Sequence, residues 1–490
     1  MDASHALARY PGVRGTRRRA RGLDRHGQRD AGAPGDPSIH RDLAGVDPRP
    51  LDRVPRGRRP AGGARERAHR GEGARAHCDR RARRSKRPSQ GAHRVRGATR
   101  ARDREGAQLK LSRDIWLLTG AQVLFGCGFG LLSAVWPLYL RDLGASAQDI
   151  GIVFGAGNLV AVLCFLPAGY LADRIGRKPV ITAAWLCAAL GVATFVPLSD
   201  WHGAFIGSAL YWSGTAGLPL IIAYVTSTTP RAELGRALGI VLGAYFAGNI
   251  IGAPIAGVLA ASIGFRAAIA IAAALLAGSA ALTFGLRAIP PHVERGRFRP
   301  PRAFWILLAI TPFAAGLSIV SLALLPVYLR DVAAIPLDRL GIYIGLVSVG
   351  AAGLAVAAGR LADAIGAVPA LLSAAAVMTA ASILMTLSGR AEPLVGLAAL
   401  LLGATQAANP VVASAVERII PPARAAQGYA TYQVAFALGF GAGGTVAGFL
   451  YEADPLLPFI ATAALALPVA AIVAAVLASA APSLGSSEVA

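Results

Sequence analysis

Long apolar runs separated by short polar turns fill the chain from about residue 114 onward. Each run is close to the roughly 20 apolar residues that a membrane-spanning helix needs. Each is bounded by charged residues, Gly or Pro. The pattern predicts an all-α integral membrane protein with twelve transmembrane helices. The runs lie at about 115–139, 150–171, 180–199, 203–227, 238–261, 266–286, 305–328, 340–362, 368–388, 393–415, 427–450 and 456–480.

The second six runs repeat the first six in the same orientation. Pro137 in PLYLRDLG and Pro326 in PVYLRDV are 189 positions apart, and GYLADRIG and GRLADAIG align at an offset of 190. Such a parallel repeat is typical of transporters whose solute crosses between two halves. We therefore divide the chain into a basic segment 1–110, an N-terminal half 111–287, a cytoplasmic linker 288–303 and a C-terminal half 304–490.

Lys and Arg in the predicted loops indicate the orientation of the helices. If residue 114 enters from the cytoplasm, fourteen of them fall on the cytoplasmic side and five on the outer side. Short cytoplasmic loops carry an excess of Lys and Arg. We therefore expect a multi-pass protein of the cell's inner (plasma) membrane with both termini in the cytoplasm.

The segment 1–110 has a different composition from the rest of the chain. It holds 30 of the 49 Lys and Arg residues, which account for most of the formal net charge of +22, and it has no apolar run. This composition predicts disorder. Three interpretations stay open: sequence upstream of a mis-set start, an inert tail, or an arm that binds anionic lipid or nucleic acid. Because stacking aromatic residues are missing, we expect no nucleic-acid partner.

The sequence lacks the motifs that would indicate an enzyme or a metal site. The four Cys residues form no CxxC pair, the eight His residues lie outside the apolar runs, and there is no GxxxxGK[ST] phosphate loop. A membrane enzyme would need a His or Asp cluster near one face. We expect that the protein is not an enzyme and that it binds no metal and no cofactor. A proton gradient is the expected energy source for its activity.

The stretch GYLADRIGRKP closes the second predicted helix on its cytoplasmic side. Gly169 permits close helix approach, and Asp173 can face the positive N-terminus of a neighbouring helix. Three basic residues follow, and an ordinary positive-inside turn is the alternative explanation for them. The pattern recurs in the second half, however, which favours a functional role. The basic residues are Arg174, Arg177 and Lys178.

At these residues the chain resembles the major facilitator superfamily, over residues 111–490. The resemblance implies a conformational latch in which Asp173 meets the start of helix 11, near Gln427–Tyr429, in the outward-facing state. The second copy has Ala364, Ala367 and Val368 in place of the basic residues, which implies a weaker latch. The matching positions are Gly169, Leu171, Ala172, Asp173, Arg174, Gly176, Arg177 and Lys178, with Gly359, Leu361, Asp363 and Gly366 in the second copy.

Small residues in the fifth and eleventh predicted helices predict close helix packing. The stretch GNIIGAPIAG is similar to the family's antiporter signature, which favours export, although Ala253 and Ala256 depart from that signature. Packing alone is the alternative. The packing residues are Gly248, Gly252, Pro254 and Gly257, with Gly439, Gly443 and Gly448 as their counterparts.

Uncharged polar and aromatic residues remain as candidates for a solute cavity. No Asp, Glu, Lys, Arg or His lies in the middle of an apolar run, so the cavity suits a neutral or amphiphilic organic solute. Hydrogen bonding between helices would explain each residue equally well. The candidates are Gln122, Asn158, Tyr211, Trp212, Tyr245, Asn249, Tyr343, Gln406, Asn409, Tyr432 and Gln433.

These observations predict a secondary transporter that moves small organic solutes by alternating access, as a monomer in the lipid bilayer. Proton-coupled export of apolar or amphiphilic compounds is the expected activity, with Asp114 or Asp149 as the coupling carboxylate. An uptake permease or facilitator for a neutral metabolite such as a sugar is the alternative, because carboxylates are missing from the apolar runs.

Overall fold

The computed structural model of the chain describes residues 112–290, 301–407, 412 and 425–480. These residues belong to one compact unit, Ala92–Ala490. Within them every regular element is helical, which confirms the predicted all-α membrane fold. The segment 1–110 and most of the linker lie outside these ranges, so the expectations for them stay predictions.

The N-terminal half forms seven α-helices and a short 3-10 helix, Trp201–Gly203. Helices α4 and α5 follow one another across a two-residue break and together fill the fourth predicted span. The α-helices are α1 Arg113–Asp142, α2 Ala147–Ile175, α3 Arg177–Thr194, α4 Ala204–Gly214, α5 Gly217–Thr228, α6 Arg231–Ile263 and α7 Phe265–Thr283.

The described part of the C-terminal half also consists of helices, but here the first span is the divided one. Helices α8 and α9 together fill the seventh predicted span. The segment Glu392–Ala407, which begins with α12, occupies the tenth and reaches the edge of the described residues. The helices are α8 Arg302–Val320, α9 Leu325–Asp331, α10 Leu337–Ile365, α11 Ala367–Ser388, α12 Glu392–Leu402, α13 Ala425–Ala453 and α14 Leu457–Ala480.

Ten helical segments of the described ranges are long and apolar enough to cross a membrane. The two other predicted spans correspond to α3, which starts with Arg-Lys-Pro, and to the shorter segment Glu392–Ala407. Trp116 and Trp305 are both largely exposed near the starts of α1 and α8, and they are also 189 positions apart. Exposed Trp at helix ends is typical of the membrane–water boundary.

The ends of the bundle can be named from the repeat. We call the end that contains Gly176, between α2 and α3, the signature face, and the end that contains Asp142 the opposite face. Gly176 has φ 94° and Gly366, its counterpart between α10 and α11, has φ 101°. Residues with a side chain rarely adopt this conformation. The repeated Gly therefore lets the chain leave one helix and start the next within a single residue.

Glycines bring equivalent helix pairs together inside each half. A methyl group at Gly252 of α6 would lie 2.8 Å from Cα of Cys127 in α1. A methyl group at Gly443 of α13 would lie 2.5 Å from Cα of Gly316 in α8. Real side chains do not approach a backbone so closely, so these positions require Gly. Gly248 and Gly439 make the same contacts one turn away, against the same partner helices.

Candidate functional site

The interface between the halves is tightly closed toward the opposite face. Helix α2 contacts α13 there: a methyl group at Gly448 would lie 2.7 Å from the carbonyl oxygen of Ala147. Helix α6 contacts α10 in the same way: a methyl group at Gly345 would lie 2.7 Å from Cγ of Pro254. Gly257 faces the backbone of α10 beside this contact. Three of the predicted packing residues thus join the two halves.

The same interface is open toward the signature face. Gly151 and Gly169 of α2 are 18 residues apart, which is five helical turns, so they lie on one face of the helix. A methyl group at Gly151 would lie 2.9 Å from the carbonyl oxygen of Gly444, whereas one at Gly169 would meet no heavy atom of the described residues within 4 Å. Gly341 and Gly359 of α10 show the same contrast. Among the described residues, the interface is therefore closed at one end and open at the other.

Aromatic rings of the N-terminal half gather beside this interface. Phe129 of α1 stacks on Tyr211 of α4, with ring centroids 6.3 Å apart and an interplanar angle of 7°. Phe129 also lies 5.9 Å from Tyr245 of α6, and Phe125 lies 6.4 Å from Tyr245. Such pairs add about 0.5–1.5 kcal/mol each to the packing. Tyr211 and Tyr245, predicted as cavity residues, thus belong to one group of rings.

The rings continue across the interface into the C-terminal half. Trp212 meets Phe154 of α2 edge-on, with centroids 5.1 Å apart, and it lies 6.0 Å from Phe440 of α13. Phe440 lies 5.6 Å from Phe154 and 5.6 Å from Phe436. We call the whole set the aromatic cluster. Its members are Phe125, Phe129, Phe154, Tyr211, Trp212, Tyr245, Phe436 and Phe440.

Sequence reasoning missed the phenylalanines of the aromatic cluster because the search was for polar residues. A signal was present, since Phe125 and Phe129 are four positions apart, as are Phe436 and Phe440, and this spacing stacks side chains on one helix face. Most of the rings are half-buried, which leaves part of each available to a solute.

The predicted asparagines take part in helix contacts. Ser348 of α10 donates a hydrogen bond to Asn249 Oδ1 of α6 at 3.2 Å, which links the two halves near the middle of these helices. Asn158 donates to the carbonyl oxygen of Phe154 in its own helix at 2.9 Å. Both side chains are buried. Asn249 thus belongs to the interface, and Asn158 lies one turn from a ring of the aromatic cluster.

The other predicted cavity residues lie in several places. Gln122 is buried in α1, and Gln433 is half-buried in α13. Tyr343 lies near the opposite face, where its hydroxyl donates to Glu392 Oε2 at 3.3 Å. Gln406 is half-buried and has an interaction partner, while Asn409 lies outside the described residues.

Tyr432 lines an apolar cavity inside the C-terminal half, and Phe436 of the aromatic cluster lines it too. The cavity is also lined by Thr311 of α8, Met378 of α11 and Thr405. Tyr432 lies 6.3 Å from Phe436, so it connects this cavity with the aromatic cluster.

The basic residues of the signature hold helices of the N-terminal half together. Arg177 donates to the carbonyl oxygen of Ala223 in α5 at 2.7 Å, and Lys178 donates to that of Phe284, just after α7, at 2.8 Å. Lys178 thus places a cation at the C-terminus of α7, where it offsets the partial negative charge. The guanidinium of Arg174 lies 4.5 Å above the ring of Tyr170. These contacts fix the start of α3 against two neighbouring helices.

The two acidic residues of the repeated signature are exposed. Asp173 lies in the last turn of α2 and Asp363 in the last turn of α10, each near the open signature face. The partner expected for Asp173, the side chains at the start of helix 11, falls largely outside the described residues. The latch therefore stays a prediction.

Asp114 is a buried carboxylate at the signature face. It is 4% exposed, and its Oδ2 accepts a hydrogen bond from Tyr224 Oη at 3.2 Å. Arg287 Nε lies 4.0 Å from the same oxygen, and Oδ1 has no hydrogen-bond partner among the described residues. Asp149, by contrast, caps α2, because Oδ2 accepts from Ser146 N–H at 2.9 Å and Ser146 Oγ at 2.8 Å. The two carboxylates are thus in very different settings.

Comparison with known proteins identifies the family. The family model of the Major Facilitator Superfamily matches residues 118–396 and 306–488, which is most of the chain. The chain belongs to the Major Facilitator Superfamily. This family consists of multi-pass membrane transporters, not of enzymes.

Relatives within the superfamily include drug transporters. The class C tetracycline resistance protein of Escherichia coli is 28% identical over 223 residues, 45% of this chain and 55% of that protein. The multi-drug resistance efflux pump PmrA homolog of Lactococcus lactis subsp. lactis (strain IL1403) is 32% identical over 165 residues, 32% of this chain and 40% of that protein. The chain thus spans about half the length of the curated relatives it matches.

Solved structures show the same fold. A crystal structure of the nucleoside transporter NupG superposes with a TM-score of 0.58 at 15% identity and covers 76% of this chain and 99% of that chain.

Proposed function

We propose that this transporter exports small apolar or amphiphilic organic compounds in exchange for protons. The aromatic cluster carries the proposal. Its half-buried rings come from both halves and meet at the interface that a solute must cross. Aromatic faces bind planar apolar solutes and aliphatic chains without demanding a fixed hydrogen-bond pattern.

The charge distribution around the aromatic cluster supports the same solute class. In the described helices that carry its rings, Asp, Glu, Lys and Arg lie within about two turns of a helix end. A phosphate or dicarboxylate would call for Arg beside the solute. The names of the relatives, tetracycline resistance protein and multi-drug efflux pump, agree with a lipophilic solute.

The signature face is proposed to be cytoplasmic, in an inner membrane, with the chain working as a monomer. The structure then represents the inward-open state. Alternating access requires the opposite state as well, in which Gly169 and Gly359 meet helices of the other half as Gly151 and Gly341 do here. Their equal spacing of 18 residues on both helices supports this motion.

Asp114 is the carboxylate proposed to carry the coupled proton. Tyr224 has one phenolic proton but faces two acceptors, Asp114 Oδ2 at 3.2 Å and the carbonyl oxygen of Arg287 at 3.0 Å. If Asp114 is protonated, it can donate to Tyr224 while Tyr224 donates to the carbonyl, so both bonds form. Burial and the unpartnered Oδ1 add to the reasons for choosing Asp114 over the capping residue Asp149.

The test uses inverted membrane vesicles that contain the full chain and have an acidic lumen. Tetracycline or ethidium is added outside, and lumenal pH is followed with a trapped dye. We expect the lumen to become more alkaline, because each exported molecule enters the vesicle as protons leave. Vesicles without the protein correct for passive entry of the compound.

Two variants distinguish proton coupling from transport of the solute itself. Asp114→Asn should lose the pH response and retain downhill equilibration of the labelled drug, while the matched Asp149→Asn variant should keep both. A normal pH response in Asp114→Asn would remove Asp114 from coupling. If no drug moves a proton while a labelled neutral metabolite such as glucose equilibrates, the chain is a facilitator, which the lack of mid-span carboxylates in the described helices would favour.

A further inference from the structure

The repeated Arg-Asp pair forms a reciprocal contact between the halves at the opposite face. Arg141 Nη2, near the end of α1, lies 3.5 Å from Asp331 Oδ2 at the end of α9. Arg330 Nη1 donates to Asp142 Oδ1 at 3.0 Å. Each half therefore supplies its Arg to the Asp of the other half. We call these four residues the crossed clasp.

The helical geometry explains why the pairing is crossed. Adjacent residues of a helix point about 100° apart and do not face each other, so an Arg cannot pair with the Asp that follows it. When two copies of the same Arg-Asp end lie side by side, each Arg instead meets the Asp of the other copy. If the halves separate at this face, neither copy can pair its own charges. The crossed clasp is thus specific to the closed state.

Exposure makes the crossed clasp reversible. Its four side chains are between 36% and 41% exposed, so water can solvate the charges as the halves separate. An ion pair with this degree of exposure changes the equilibrium between the open and the closed face by about 1.5- to 5-fold. A contact that must break in every transport cycle needs to be of this modest size, since a much stronger one would trap the closed state.

Two residues of α13 adjoin the crossed clasp. Glu452 Oε2 accepts a hydrogen bond from the backbone N–H of Ala147, the first residue of α2, at 3.0 Å. It therefore caps a helix of the other half. The hydroxyl of Tyr451 is buried, interacts electrostatically with Asp331 and Arg141, and has no hydrogen-bond partner among the described residues. Such an orphan hydroxyl opposes closure, because it would gain water when the face opens.

We propose that the crossed clasp sets the balance between the two openings of this transporter by holding the opposite face shut, with Tyr451 acting against it. The proposal does not depend on the solute or on proton coupling, so it stands or falls separately from the proposed export. It gives the repeated Arg-Asp pair a role that the repeat alone does not reveal.

The test measures the state of the opposite face directly in the full chain, reconstituted in lipid nanodiscs after replacement of the native cysteines by Ala. Spin labels are placed at Ser199→Cys and Arg390→Cys, which are exposed on that face in different halves. Double electron–electron resonance gives the distance distribution between them. We expect Arg330→Asp, which sets like charges against each other, to raise the ratio of open to closed by about 2- to 30-fold.

Three comparisons make the result specific to the crossed clasp. Asp142→Arg combined with Arg330→Asp restores opposite charges and should return the ratio to within about twofold of the starting protein. Arg339→Asp makes the same charge change on the same face, but Arg339 pairs with Glu392 of its own half at 3.7 Å, so the ratio should not change. Tyr451→Phe removes the orphan hydroxyl and should lower the ratio.

Two outcomes would overturn the proposal. One is a distance distribution in Arg330→Asp that matches the starting protein. The other is a charge-exchanged double variant that stays as open as Arg330→Asp. If Arg330→Asp does not accumulate in the membrane, Arg330→Gln and Asp142→Asn replace it, and the same comparison applies with a smaller expected shift of about 1.5- to 5-fold.

Discussion

Substitution of Gly151 by Ala should shift the transporter toward the state that is open at the opposite face. The new methyl group would lie 2.9 Å from the carbonyl oxygen of Gly444 and 2.9 Å from Cα of Gly448, on the other half. Ordinary contacts begin at about 3.4 Å, and overpacking of this kind costs about 1–3 kcal/mol. The cost disappears when the halves separate at this face. The ratio of the open to the closed state of the opposite face should therefore rise about 5- to 150-fold.

Gly128→Ala is the matched control for this prediction. Its methyl group would lie 3.0 Å from the carbonyl oxygen of Ala272 and would meet the side chain of Leu276, but α1 and α7 belong to the same half and stay together in both states. The overlap should therefore leave the conformational ratio unchanged. It should lower the free energy of unfolding by about 0–2 kcal/mol, because the better helix propensity of Ala offsets part of the strain.

The assay combines two measurements on each variant. Spin labels at Ser199→Cys and Arg390→Cys report the opening of the opposite face, and thermal unfolding in detergent reports stability. The reasoning is refuted if Gly128→Ala opens the face as much as Gly151→Ala does. It is equally refuted if Gly151→Ala lowers the melting temperature without any change in the distance distribution.

Three further predictions concern single side chains. Asp173→Ala should reduce transport by ~10-fold or more at unchanged membrane levels, because it removes the latch of the alternate state; near-normal rates would argue against the latch. Trp212→Ala should weaken binding of an aromatic solute by about 0.5–1.5 kcal/mol in a titration of purified protein, whereas Trp201→Ala, outside the aromatic cluster, should not; equal losses would remove Trp212 from the site. Gly359→Leu should keep the present state but abolish transport, because closure of the signature face needs a small residue there. Gly353→Leu, about 120° around the same helix, should transport normally, and a block by both would indicate a general defect of α10.

The sequence by itself determined the architecture. Twenty-residue apolar runs need internally hydrogen-bonded helices in a bilayer, and the repeat offsets of 189 to 191 indicate the two-half organisation. Gly248, Gly252 and their counterparts were identified as packing residues, and the structure places them at backbone contacts. These features are local or periodic, so they can be read from one chain.

The tertiary structure decided which contacts those residues make. Gly252 packs inside its half and Gly257 packs between the halves, although both belong to one spacing pattern. Asp114 and Asp149 both lie near helix ends in the sequence, yet one is buried with an unpartnered oxygen and the other caps a helix. Arg141 and Asp331 are 190 positions apart, so their pairing depends on how the halves dock. The sequence repeats the glycines and the charged side chains. Only the packing of one half against the other determines which of these residues come into contact.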